Sequence, residues 1–226
     1  MIFSNLLIKD RVGNFNLTRI LIFLPGIILG LTVHEFCHAL VAHMCGDSTS
    51  KDQGRVTLNP LAHIDLLGFI MLIFAGFGWA KPVQFNEQNL RNPKTDIIKI
   101  SLAGPFSNAV IAMVLSVIFS ALMYSAPLYS SPFMRIVFEI LHYAIYINWG
   151  LFIFNLIPLP PLDGSHLVFY QLRRFPALYD VLYKYGSFLL FGLIIATSFT
   201  KINFLPIWPA IQFLGEGFLS LVGYRG

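Results

Sequence analysis

Apolar residues between positions 17 and 222 fall in runs long enough to cross a lipid bilayer, and this sets the class of fold before any motif is considered. A spanning helix needs about 20 mostly apolar residues. The runs 17–43, 97–123, 135–157, 179–200 and 203–222 each qualify, the last interrupted by Pro206 and Pro209. The run 66–80, LLGFIMLIFAGFGWA, covers only about 22 Å as a helix. That is short of a hydrocarbon core of about 30 Å, so it either re-enters or recruits 60–65 to cross. Composition points the same way: 56% of the 226 residues are hydrophobic and 12% are charged, about half the charged share of a soluble domain. The expected fold is an all-α polytopic membrane protein of about five to six transmembrane helices. It is expected to form a single integral-membrane domain over 1–226, with a core at about 17–170 and C-terminal helices in 179–222.

Charge excludes one class of partner and orients the chain. The net charge is +4, but the 15 Lys and Arg are scattered at the ends of apolar runs, without the basic face that nucleic acid requires. They read as topology markers in a lipid bilayer. Lys81, Arg91, Lys94 and Lys99 mark one polar stretch, Arg173, Arg174 and Lys184 another, and 124–134 has neither Lys nor Arg. By the positive-inside rule 81–96 and 158–178 face the cytoplasm and 124–134 faces out, with Lys9, Arg11 and Arg19 as counter-evidence. Residues 20–33 resemble a signal-peptide core without a small-residue cleavage site, so a retained helix is expected. Cys37 and Cys45 offer no useful disulfide. Two polar stretches, GRVTLNP (54–60) and AKPVQFN (80–86), alternate like strands and end in turn residues, so a small membrane-associated β-hairpin or strand pair is expected.

Within the first run stands HEFCH, His34 to His38. Residues four apart share a helix face, so both imidazoles can hold one metal ion while Glu35 reaches a water beside it. An acidic residue at a helix centre costs about 2.5–3.5 kcal/mol on insertion scales, and a metal ion is the obvious compensating charge. The pattern suits zinc hydrolysis. His34 lies nearer the 44–65 end of its helix, so water must reach it from that side.

A catalytic zinc has three protein ligands and one open position. His43, His63, His142 and His166 are candidates for the third, but Asp163 is the best. It lies in NLIPLPPLDGSH, 155–166, where Pro158, Pro160 and Pro161 end a helix and force irregular backbone, tolerated at membrane depth only where it is buried in protein or lines a cavity.

HEFCH, SLAGPFSN (101–108) and NLIPLPPLDG together resemble the three signatures of the site-2 protease family of intramembrane metalloproteases. GRVTLNPLAHIDLLG (54–68) and GWAKPVQFNEQNLRNP (78–93) resemble its compact prokaryotic branch, which lacks PDZ-like or CBS domains. The resemblance covers roughly 26–170. It implies His34, His38 and Asp163 as ligands of one zinc, Glu35 as catalytic acid/base, and Asn155 as a holder of substrate backbone. Gly104, Pro105 and Asn108 match a GPxxN element that supports close helix packing. The implied activity is zinc-dependent endoproteolysis of transmembrane protein substrates in the cell membrane, with the active site toward the cytoplasm. A prenyl-protein protease with Glu139 as third ligand, a small ion transporter and an inactive protease-like chaperone are the competing readings.

Overall fold

The computed structural model describes residues 17–75, 78–124, 131–200 and 207–224. The N-terminal stretch with Lys9 and Arg11, residues 125–130 of the Lys-free segment, and 203–206 of the last apolar run lie outside the described residues. Eight α-helices are described: α1 Leu17–Met44, α2 Thr49–Asp52, α3 Leu66–Ala75, α4 Pro93–Met123, α5 Pro132–Asn155, α6 Gly164–Leu172, α7 Pro176–Thr200 and α8 Ile207–Leu221. Four stretches are long and apolar enough to cross a membrane: Leu17–Met44, Pro93–Met123, Pro132–Asn155 and Pro176–Thr197. Helix α8, with 15 residues, reaches about 22 Å, short of a full crossing. The protein is a multi-pass membrane protein, and its four described spans are roughly consistent with the number of its apolar runs.

The run 66–80 does not cross. Its helix, α3, has 10 residues, and the chain then returns to its starting level: Ile64 and Ala80 form an isolated antiparallel bridge, and the Lys81 N–H donates to the His63 carbonyl at 2.8 Å. The same contact replaces the expected hairpin. Among the described residues there is no strand; the one bridge joins Ile64 to Ala80, and 54–60 has no part in it. The reason is competition for main-chain groups. The Arg55 guanidinium donates to the carbonyls of Ala62 and Lys81, Ser50 Oγ donates to the Gln84 carbonyl, and His63 Nε2 takes the Thr57 carbonyl at 2.8 Å. Side chains hold the groups that a strand ladder would need.

Helices α1, α4 and α5 pack on one another and form the floor of the molecule. Lipid is as apolar as leucine, so spans associate through close packing and interhelical hydrogen bonds rather than hydrophobic burial. Gly26 and Gly30 give α1 a small-residue face: a methyl at Gly26 would lie 2.9 Å from the Ala144 Cβ, and one at Gly30 would lie 2.8 Å from the Asn148 Oδ1. The outer faces are apolar and open, as Phe106, Val110, Val114 and Val117 show on α4. Helix α8 closes the far end, where Phe119, Phe138, Trp149 and Ile211 are buried together. Pro25 and Pro105 lie inside α1 and α4, and neighbouring helices make such breaks tolerable in a membrane.

Candidate metal centre

One helical turn on α1 puts the His34 and His38 rings 4.6 Å apart, centre to centre. Helix α5 ends at Asn155, and the Pro-rich link that follows delivers Asp163 to them just before α6 begins. His34 Nε2 and His38 Nε2 are 3.0 Å apart, and Asp163 Oδ2 stands 3.1 and 3.3 Å from them. All three residues are buried or half-buried.

The outer ring nitrogens show what these atoms are. His38 Nδ1 is 2.6 Å from the Ile100 carbonyl, which can only accept, so Nδ1 carries the proton and, in the neutral ring, Nε2 has the lone pair. His34 Nδ1 is 2.6 Å from Asn108 Oδ1 and is arranged alike. Asp163 Oδ2 is buried without a hydrogen-bond donor. Three acceptor lone pairs thus converge, which is repulsive unless a cation lies between them. The spacing suits zinc: tetrahedral bonds of about 2.0–2.1 Å separate ligand atoms by about 3.3 Å. Gly104 keeps the approach open, since a methyl there would lie 2.6 Å from His34 Nε2 and collide with His38 as well. Pro105, the next residue, is fully buried.

Glu35 is buried beside this cluster, and its Oε2 accepts the Val83 N–H at 2.9 Å. Val83 belongs to a strap, residues 81–86, without helix or turn. The strap is mounted on buried polar side chains. Asp47 Oδ2 accepts the Asn86 N–H at 2.8 Å, and its Oδ1 accepts the Thr49 hydroxyl at 2.6 Å and the Asn89 amide at 2.8 Å. Burial raises the pKa of this carboxyl, but the bonds from Thr49, Asn89 and the Asn86 amide outweigh it and hold the group below the usual carboxylate range. Burial pulls the Arg55 pKa down, and the nearby Glu35 charge opposes that.

Asn155 Nδ2 donates to the Leu151 carbonyl at 2.9 Å within α5. Of the other histidines, His43 is bonded to Ser48 and Lys51, His63 to Thr57, His142 is set among Phe119, Tyr143 and Tyr146, and His166 lies near Phe85 and within electrostatic reach of Asp163. Asp47, Arg55 and Asn148 were missed by motif reasoning. Asn148 had a signal, being an amide in the middle of a spanning run.

The sequence model of Peptidase family M50 matches residues 123–193, a stretch that holds Asn155 and Asp163. A protein of Bacillus subtilis (strain 168) named "Putative zinc metalloprotease YwhC" is 38% identical over 159 residues, 70% of this chain and 73% of that protein. The chain belongs to peptidase family M50. Proteins named "Putative zinc metalloprotease Rip2" are more distant: that of Mycolicibacterium smegmatis is 28% identical over 149 residues, 64% of this chain and 54% of its own length. That of Mycobacterium tuberculosis H37Rv is 28% identical over 147 residues, 62% and 53%. The M50 chain thus spans about half the length of the Rip2 proteins. No solved structure matches it. The resemblance to site-2 proteases is borne out, and this M50 member is a zinc-dependent intramembrane protease.

Proposed function

We propose that His34, His38 and Asp163 hold one zinc ion per chain, and that Glu35 moves the protons as the protein cuts transmembrane protein substrates. The carrying observation is the triangle of 3.0, 3.1 and 3.3 Å between two imidazole lone pairs and a carboxylate oxygen. Held by these three residues, a zinc ion would act as a Lewis acid, able to polarise a peptide carbonyl and to lower the pKa of a water to about 7. Glu35 then takes a proton from the attacking water and returns it to the leaving amine. The Val83 N–H on Oε2 fixes the orientation of the Glu35 carboxyl group. Asp163 acts as ligand. Asn155 orients substrate backbone, its position eight residues before Asp163 supporting the reading. Gly104, Pro105 and Asn108 shape the floor beneath the ligands.

A substrate helix hides its carbonyls in its own hydrogen bonds and must be held unwound. Among the described residues no hydrogen bond occupies the Val83 carbonyl or the main chain of Phe85, and an unwound substrate added along the strap would meet both. An apolar cavity of about 410 Å³ between α1, α3, α5 and α7, lined by Ile27, Leu31, Leu151 and Leu190, offers room for its side chains. His34 lies about 15 Å from the α1 end at Met44, so the site is intramembrane and opens toward the 45–92 side. Arg91, Lys94, Arg173 and Arg174 fall on that side of alternate crossings, which supports a cytoplasmic orientation in the cell membrane. We read 1–226 as one integral-membrane domain.

Elemental analysis should find one zinc per chain, and Glu35→Gln should keep that zinc while failing to cut a model transmembrane substrate. Cleavage by the variant at the wild-type rate would overturn the assignment of Glu35.

A further inference from the structure

Asn148 is absent from the ligand set and touches neither His34 nor His38, yet it is fully buried in the floor. Asn108 meets His34 through its oxygen, and nothing in a carboxamide itself chooses oxygen over nitrogen for that contact. The choice is made on the far side. Asn108 Nδ2 donates to the Gly30 carbonyl at 3.0 Å and to Asn148 Oδ1 at 3.0 Å, spending both its hydrogens. Asn148 presents its oxygen there because its own Nδ2 donates to the Ala144 carbonyl at 2.8 Å within α5, with the Gly26 carbonyl at 3.5 Å.

We propose that Asn148 is a positioning residue for zinc binding. It locks Asn108 with the oxygen toward His34, and so fixes His34 as the tautomer whose Nε2 lone pair faces the metal position. The relay runs backbone carbonyl, Asn148, Asn108, His34, and crosses α5, α4 and α1. It rests on the zinc reading above. The opposite His34 tautomer would place a hydrogen on Nε2, which faces His38 Nε2 at 3.0 Å and Asp163 Oδ2 at 3.1 Å. That hydrogen would satisfy the cluster internally and compete with the ion. His38 needs no such device, because a backbone carbonyl cannot flip.

Zinc affinity, measured by competition with a chromophoric chelator, separates this role from packing. Asn148→Leu should bind zinc about tenfold more weakly, at the lower end of what outer partners of a metal histidine contribute. Asn148→Asp still accepts from Asn108 in either protonation state and should stay within about twofold of wild type. In an Asn108→Asp background both atoms facing His34 and Asn148 are oxygens, so adding Asn148→Leu should weaken zinc binding no further. Wild-type affinity in Asn148→Leu, equal losses in the Leu and Asp variants, or losses that multiply in the double variant would each overturn the relay. NMR of isotope-labelled histidine in the metal-free protein tests it apart from zinc, and also if the Leu variant does not fold. His34 should carry its proton on Nδ1 in wild type and Asn148→Asp. A proton on Nε2 in wild type sinks the proposal whether or not zinc is the ion.

Discussion

The helical floor and the 45–92 connection hold two halves of one site by opposite means. In the floor the two imidazoles sit on the membrane-spanning α1, and each outer nitrogen is tied to α4, His34 to Asn108 and His38 to the Ile100 carbonyl. In the connection the helices are short, and the 81–86 strap, which has no regular structure, is held over Glu35 by single side chains such as Asp47, Ser50 and Arg55. The floor places ligand atoms through packing, which is stiff. The strap places one N–H through a set of hydrogen bonds to single side chains. The difference teaches that damage to the floor should appear in zinc content, and damage to the strap in turnover.

The largest effect is expected in the floor. Gly104→Ala puts a methyl 2.6 Å from His34 Nε2 and should drive the imidazoles apart. Zinc affinity should fall by about 100-fold, and cleavage should fall with it at limiting zinc. Retained affinity would mean that α4 can retreat from α1, and that the floor is softer than described.

The strap gives the next largest effect and the opposite signature. Val83→Pro removes the N–H that Glu35 Oε2 accepts, and kcat should drop by about 10- to 100-fold, as a small misplacement of a catalytic group does. Zinc stoichiometry should not change. Gln84→Pro removes an N–H that no hydrogen bond uses among the described residues, so steady-state kinetics should show the smaller loss at position 84. An equal loss at both positions would point to strap shape rather than to the Glu35 contact.

These two regions were also unequally legible in the sequence. HEFCH and Asp163 stood out because charged and imidazole groups are expensive in apolar runs, and the same cost leads directly to a metal ion. Asn148 carried that signal more weakly, as an amide costs less than a charge and can be satisfied by backbone. The strap was misread for a physical reason. AKPVQFN alternates as a strand does, but alternation reports only which side chains face apart, not which atoms take the main-chain bonds. Here Arg55, Ser50 and Asp47 take them, and nothing in the spacing of GDSTSKDQGR marks those residues as a mount. The re-entrant run was legible in its length, while its return depended on Ile64 meeting Ala80.

Acid should loosen the strap before the floor. The Asp47 carboxyl is held below its ordinary range by Thr49, Asn89 and the Asn86 amide against the cost of burial. Its stabilisation is therefore complete above the ordinary value of about 3.9 and is lost as pH falls through the lower folded value. Hydrogen exchange at Val83 and Asn86, corrected for intrinsic rates, should show protection constant between about pH 5 and 8 and falling below about pH 4. Amides of the α4–α5 packing should stay protected. Asp47→Asn should lower strap protection at neutral pH by about 1–3 kcal/mol, because an amide nitrogen would face a donor it cannot accept from.

The smallest effect tests whether burial or charge holds the connection in place. Arg173, just after α6, reaches Glu87 at 3.3 Å, with both side chains about half exposed. This pair joins the connection to the far side of the site and on a contact map looks equivalent to the Asp47 bonds. It should not behave so. Exposed ion pairs contribute about 0–1 kcal/mol and are screened by salt, whereas Asp47 is shielded and bonded to main chain. Glu87→Gln should leave exchange at Val83 and kcat within about twofold of wild type, a free-energy change of about 0.4 kcal/mol. A loss comparable with that of Asp47→Asn would show that the strap is pinned from α6 as well, and that the motion of Asp163 and of Glu35 is coupled through the surface.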